Sequence, residues 1–167
     1  RARRSVDQWT KADVEAVVIT ASGCGTTIKD YGHMLRLDPA YADKAIAISA
    51  KARDVTEFLS LLDLPPADKS LHLAYHSACS MQHGQKIKAE PLKLLRRAGF
   101  TVSEVPEGHL CCGSAGTYNI LQPEIATRLR DRKVANIETL KPQAIATGNI
   151  GCISQIGTGT AIPNLHT

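Results

Sequence analysis

Aromatic residues are scarce, at 4% of a 167-residue chain: four Tyr, two Phe and one Trp. So few rings offer no stacking platform for nucleic-acid bases. No run approaches the roughly 20 apolar residues of a membrane-spanning helix. The basic start Arg1-Ala2-Arg3-Arg4 has no apolar stretch behind it to make a secretory signal. A membrane span and export are therefore not expected. Neither sign of charge dominates: 20 Lys and Arg against 16 Asp and Glu leave +4, much of it in Arg1, Arg3 and Arg4. The other basic residues (Lys86, Lys88, Lys93, Arg96, Arg97) read as the wet face of a helix, so no nucleic-acid partner is expected. The C-x-x-C pairs of zinc knuckles are missing, and no G-x-G-x-x-G follows a strand to make a dinucleotide fingerprint.

What is present is an ordinary globular balance, 43% hydrophobic and 22% charged, which excludes disorder and fibrous repeats. The five cysteines are an odd number in a chain without secretory features. That argues for metal or redox chemistry in a reducing compartment rather than a disulfide framework. The chain also lacks an initiating Met and reads as a piece of a longer protein.

Short apolar strands alternate with amphipathic helices, the signature of an α/β fold with a mainly parallel, Rossmann-like sheet. Ala16 to Thr20 (AVVIT) reads as a buried strand, followed by a Gly- and Ser-rich loop through Ser22, Gly23, Cys24 and Gly25. Asp38 and Pro39 read as an N-cap and first-turn pair. Ile48, Ala52, Val55, Leu59 and Leu62 then recur at steps of three and four, predicting one helix from about 40 to 62. Pro65 and Pro66, with Asp63, Asp68 and Ser70 around them, make the best internal boundary. Beyond it, Leu71 to His76 is strand-like, and a helix within 87–98 turns Leu94, Leu95 and Ala98 inward and ends at Gly99. A half-exposed strand holds Phe100, Val102 and Val105. The segment HLCCGSAGTYN must be loop, Pro123 opens a helix to about Leu140, and Ala144 to Thr147 is one more strand. This second unit reads β-α-β-α-β with right-handed crossovers.

An internal repeat appears on shifting the sequence by 128: Arg4 falls on Arg132, Val6 on Val134, Ala16 on Ala144, Gly23 on Gly151, Cys24 on Cys152 and Ile28 on Ile156. Residues 1 to about 32 thus read as the tail of a unit whose beginning is missing, and 70 to 160 as an intact one.

Cys79, the adjacent Cys111 and Cys112, and Cys152 each lie just past the carboxyl end of a predicted strand, with gaps of 31 and 38 residues around Cys111-Cys112-Gly113. In a parallel sheet those ends share one rim, so the four thiols can converge there. Four thiolates suit an iron-sulfur cluster or a zinc ion. Adjacent cysteines cannot readily grip one tetrahedral ion but can reach different irons of a cluster. Gly113, Gly116, Gly151, Ser114 and Thr117 would bring N–H and O–H groups to anionic sulfurs. His76, His83 and His109 are near in sequence and can hydrogen-bond a cluster, ligate it, or simply pack.

These motifs resemble a known family. The Cys79, Cys111-Cys112-Gly113, Cys152 series resembles the cysteine-rich CCG domain of heterodisulfide reductase-like and FAD-linked oxidoreductase iron-sulfur subunits. ASGCGTTIKDYGHML (21 to 35), MQHGQ (81 to 85), HLCCGSAGTYNILQPEIATRLRDRK (109 to 133) and NIGCISQIGTGT (149 to 160) are similar to iron-sulfur subunits of bacterial glycolate oxidases, also called glycolate dehydrogenases. The resemblance implies an oxidoreductase subunit built from two CCG repeats: residues 1–64 the end of the first with a connecting helix, 70–167 the second. It implies Cys79, Cys111, Cys112 and Cys152 as ligands of an iron-sulfur cluster, 4Fe-4S in type, with Cys24, the closing cysteine of the first repeat, as a further candidate cofactor-binding residue and zinc as the alternative metal. No catalytic residue is expected on this chain. FAD would sit on the partner glycolate oxidase subunits, whose electrons from the oxidation of glycolate to glyoxylate pass through this subunit toward a quinone-type acceptor. The implied location is cytoplasmic, or peripheral on the inner face of the cell membrane. Other readings are a zinc-binding assembly module and a heterodisulfide reductase-like catalytic cluster. Where the family often closes with C-x-x-C, Thr27 and Gln155 stand here. That departure favours a four-thiolate site, or one with a non-cysteine ligand.

Overall fold

In the computed structural model, which describes residues 1–65 and 70–167, the chain is mixed α/β with parallel strands. In chain order the elements are α1 (Ala2–Lys11), β1 (Val17–Ile19), α2 (Ser22–Lys29), α3 (Tyr31–Met34), α4 (Ala42–Lys51), β2 (Ala52–Asp54) and α5 (Val55–Leu59). There follow β3 (His72–Tyr75), a π-helical turn (Ser80–Gln85), α6 (Glu90–Arg97), β4 (Thr101–Glu104), α7 (Tyr118–Leu121), α8 (Pro123–Thr139), β5 (Ala144–Thr147), α9 (Ile150–Gly157) and β6 (Asn164–His166). Among the described residues no helix is long and apolar enough to cross a membrane.

Strands β1 and β2 form one parallel pair, and the others form a parallel sheet in the order β4-β3-β5-β6. The alternation of side chains along a strand builds two cores. Leu73 and Tyr75 of β3 join Ala144 and Ala146 of β5 on one face, against Leu92 of α6. Ala74 and Ile145 point to the other face, against Val134 and Ile137 of α8 and Ile156 of α9. That second core also contains Cys112 and Cys152. Since β3 leads out to β4 on one side and β5 to β6 on the other, connections diverge between β3 and β5, where open α/β sheets leave a crevice at the carboxyl ends.

The structure corrects four expectations. The predicted helix over 40 to 62 is broken: Ala52–Asp54 is a strand paired with Val17–Ile19, and Asp54 then caps α5 through a capping box with Glu57. Burying Ala52 and Asp54 on a sheet outweighs continuing the helical period. Asp38 organises the turn before α4, accepting from the Ala40 N–H, while Tyr41 occupies the N-cap position. The Gly-Cys segments after β1 and β5 are the first turns of α2 and α9 rather than loops. Finally, β6 adds a strand after the last expected one. Of the expected boundary, Pro66 and Asp68 lie outside the described residues. The 128-residue shift lays β1 and α2 on β5 and α9, each a strand followed by a helix that opens at the Gly-Cys segment, but α3 and α4 intervene before β2 whereas β6 follows α9 directly.

Candidate metal centre

Three strand ends deliver the four cysteines to one cavity. Cys79 follows β3 and precedes the π-helical turn, Cys111 and Cys112 lie in the loop between β4 and α7, and Cys152 sits in the first turn of α9. Together with Gly23, Ser80, Ser114, Gly116, Asn149 and Gly151 they line a cavity of about 350 Å³. Cys112 and Cys152 are buried, Cys79 and Cys111 half-buried, and none is disulfide-bonded. Cys24 stands apart: it is exposed and lines a neighbouring hollow with Tyr31 and Ile150, sharing only Gly23 and Asn149 with the cysteine cavity.

Local sequence explains this convergence. Gly113 has φ +93, and a Cβ there would lie 2.3 Å from the Ala126 carbonyl oxygen in α8. Only glycine lets the loop press against that helix while the Gly113 N–H reaches the Cys111 sulfur at 3.3 Å. This is the physical content of the Cys-Cys-Gly run. Gly151 serves a second close approach, since a Cβ would come within 2.7 Å of Ser114 Oγ. Asn149 caps α9, its Oδ1 accepting from the N–H groups of Gly151 (2.9 Å) and Cys152 (3.4 Å). Its Nδ2 donates to Ser22 Oγ at 3.0 Å, and the Ser22 and Ser80 hydroxyls share a 2.7 Å hydrogen bond. The segment after Cys79 and the start of α9 that carries Cys152 are thus tied to α2. The N-terminal end of α9 also favours an anion at Cys152.

The thiols divide into two kinds. The Cys112 and Cys79 thiols donate toward Cys111 and hold it down at about 2. Cys112, assisted by His76, brings Cys152 down to about 5 against the effect of burial. Cys79 is raised chiefly by Cys111, and Cys112 is raised by Cys111 and Cys152. Neighbouring thiols that share hydrogen bonds favour alternating protonation, so Cys111 and Cys152 are lowered where Cys79 and Cys112 are raised. Four such sulfurs can take a soft cation once the remaining protons are displaced. Near the cluster, Lys133 is fully buried, its Nζ donating to the Glu107 carbonyl at 2.8 Å. Burial lowers the Lys133 pKa, and the neighbouring cysteine cluster opposes that fall.

Of the three histidines, only His76 reaches the site. It is fully buried, and a ring nitrogen lies with the Cys112 and Cys152 sulfurs in a group whose donor atoms are within 4.8 Å of one another. His83 and His109 are exposed. Ser114 and Gly116 line the cavity as expected, whereas Thr117 is exposed outside it. Asn149 and Lys133 escaped the sequence reading, although signals existed. Asn149 stands three residues before Cys152, the place of a helix cap, and Lys133 interrupts the inward series Ala126, Val134, Ile137 of α8.

Several known proteins are similar to this chain. Residues 73–157 match CCG, the cysteine-rich domain family. The "Glycolate oxidase iron-sulfur subunit" of Escherichia coli (strain K12) is 45% identical over 166 residues, covering 95% of this chain and 40% of that protein. The "Probable glycolate oxidase iron-sulfur subunit" of Bacillus subtilis (strain 168) is 31% identical over 163 residues, 95% of this chain and 37% of that protein. "Lactate utilization protein A" of the same organism is 31% identical over 149 residues, 87% of this chain and 63% of that protein. The chain therefore spans about two fifths of the length of the first two relatives.

Proposed function

Given that the chain belongs to the CCG family of cysteine-rich domains, we propose that Cys79, Cys111, Cys112 and Cys152 hold an iron-sulfur cluster of the 4Fe-4S type, and that the chain is part of the electron-transfer subunit of a glycolate oxidase. The observation that carries this reading is the convergence of four cysteines from three strand ends on a single cavity. The donor set fits: soft sulfurs, a buried lysine near enough to feel their charge, and a backbone N–H already directed at Cys111. Similarity to two glycolate oxidase iron-sulfur subunits supports the wider assignment.

In this reading the oxidation of glycolate to glyoxylate, a loss of two electrons and two protons, belongs to a partner subunit whose FAD would supply the hydride chemistry. This chain would carry the electrons onward toward a quinone-type acceptor. A cluster supplies the one-electron storage that splits the pair. The chain's own residues do the rest: the cysteines bind, the Gly113 N–H and Lys133 offset negative charge on the sulfurs, and Asn149 orients Cys152. No residue here is assigned to glycolate chemistry. Residues 1–64 and 70–167 form two units of one repeated plan, with Cys24 in the place that corresponds to Cys152. The protein acts on the cytoplasmic side, reaching the membrane only through its complex.

The test is anaerobic purification of the longest native chain with its partners, iron, sulfide and zinc analysis, and EPR before and after dithionite. Equal iron and sulfide, with a redox-responsive signal lost in a Cys111→Ser, Cys112→Ser variant, is expected. Full cluster content in that variant would overturn the ligand assignment. A zinc module is the second reading, favoured by the compact His76, Cys112, Cys152 donor group. Stoichiometric zinc without iron, even after reconstitution, would establish it.

A further inference from the structure

His76 is the buried polar side chain that the metal reading leaves unexplained. It is fully buried, and among the described residues neither ring nitrogen has a hydrogen-bond partner. An imidazole with two orphaned nitrogens in a closed core is costly unless something at the site engages it. Its position is well fixed, because the His76 N–H extends the β3 ladder to the Ala146 carbonyl at 2.9 Å. On that face of the sheet it follows Ala74 and points where Cys112 and Cys152 converge, its nitrogen within 4.8 Å of both sulfurs.

A second orphan lies beside it. The register pairs Tyr75 with Ala146, so one further step sets Thr147 next to His76, both on the cysteine face. Thr147 is fully buried, and its Oγ1 also lacks a partner. The sulfurs complete the account. Cys111 receives the Gly113 N–H at 3.3 Å, whereas His76 is the side chain positioned to give Cys152 a comparable donor.

We propose that His76 is a positioning residue of the metal centre: one ring N–H donates to the Cys152 sulfur, and the Thr147 hydroxyl donates to the other nitrogen and fixes the tautomer. The relay Thr147 O–H, His76 N, His76 N–H, Cys152 sulfur satisfies all three orphaned atoms at once. It leaves the four cysteines as the whole ligand set, so the missing fifth cysteine is not replaced by histidine. A donor to a ligating sulfur stabilises the more negative, reduced state and raises the reduction potential. This inference rests on the iron-sulfur reading of the site.

The test is an EPR-monitored redox titration of the anaerobically purified complex, with iron and sulfide content, for wild type, His76→Leu, His76→Asn and Thr147→Val. His76→Leu should keep its cluster content and titrate at a more negative potential. His76→Asn, which retains an N–H donor, should recover most of that shift. Thr147→Val should move the potential in the same direction by less, and it carries the test if His76→Leu does not fold. Pulsed EPR on protein with 15N-labelled histidine should show a weak nitrogen coupling that is absent in His76→Leu. An unshifted potential with an intact cluster in both His76→Leu and Thr147→Val would overturn the relay. A strong nitrogen coupling, with iron lost from His76→Leu, would instead make His76 a ligand. Zinc without iron in the wild type would overturn the cluster reading itself, a result separate from any of these.

Discussion

Replacing Gly113 by Ala tests the geometry of the Cys-Cys-Gly loop, and Gly116→Ala is its internal control. Both glycines have positive φ, +93 and +68. The left-handed backbone costs an L-residue about 1–2 kcal/mol. At Gly116 a Cβ meets nothing within 4 Å, so that backbone cost is the whole expected effect. At Gly113 the new Cβ would lie 2.3 Å from the Ala126 carbonyl oxygen, inside a 17-residue helix that cannot yield locally. Overpacking of this kind adds about 1–3 kcal/mol, giving a total of roughly 2–5 kcal/mol. Urea unfolding of the metal-free chain measures both, and against a typical domain stability of about 5–15 kcal/mol the larger loss is easily resolved. In the holoprotein, Gly113→Ala should also lose cluster content while Gly116→Ala retains it, because relieving the clash moves Cys111 and Cys112. Equal losses for the two variants, or a Gly113→Ala protein with wild-type stability and full metal, would refute the reasoning.

Asn149→Ala should cost about 0.5–2 kcal/mol through loss of the α9 cap, and weaken metal retention by freeing Cys152. Asn149→Asp should keep the cap yet lose the donor to Ser22, so urea midpoints and metal off-rates should separate the two functions. In metal-free protein at pH 6, iodoacetamide followed by mass spectrometry should label Cys111 well before Cys79. Cys111 is lowered to about 2 and is a thiolate there, whereas Cys79 is raised and keeps its proton. Glu107, held at about 2 mainly by Arg132, accepts hydrogen bonds from Arg132 and Asn136. Its folded pKa lies below its unfolded value, so its contribution is full above about 4.5 and is lost as pH falls toward 2. Acid unfolding of Glu107→Gln and wild type should therefore differ at neutral pH and converge near pH 2.

The strands and the converging cysteines were legible because each leaves a local trace. Buried parallel strands are short apolar runs, as at residues 16–20, 71–76 and 144–147, and the cysteines that follow them are rare residues at regular distances. The CCG run and the 128-residue repeat also survive without any tertiary information, since both are properties of order along the chain. The same local reasoning failed where a distant partner decides the conformation. Ala52–Asp54 continues a helical period but is drawn into a strand by Val17–Ile19, some 35 residues away. The Gly-Cys segments look too flexible for helix, yet they are the first turns of α2 and α9, where glycine permits close approach to Ser114 and Gln85.

Sequence alone therefore determined the class of fold and the placing of cysteines just past three strand ends, because strand periodicity and residue type are carried by neighbours. Tertiary structure alone decided that Cys24 stands outside the cavity, that His76 and not His83 or His109 reaches the cysteines, and that Lys133 is buried close enough to feel them. These are questions of distance and burial, set by how β3, β5 and α8 pack. Packing joins residues that sequence separation keeps unrelated.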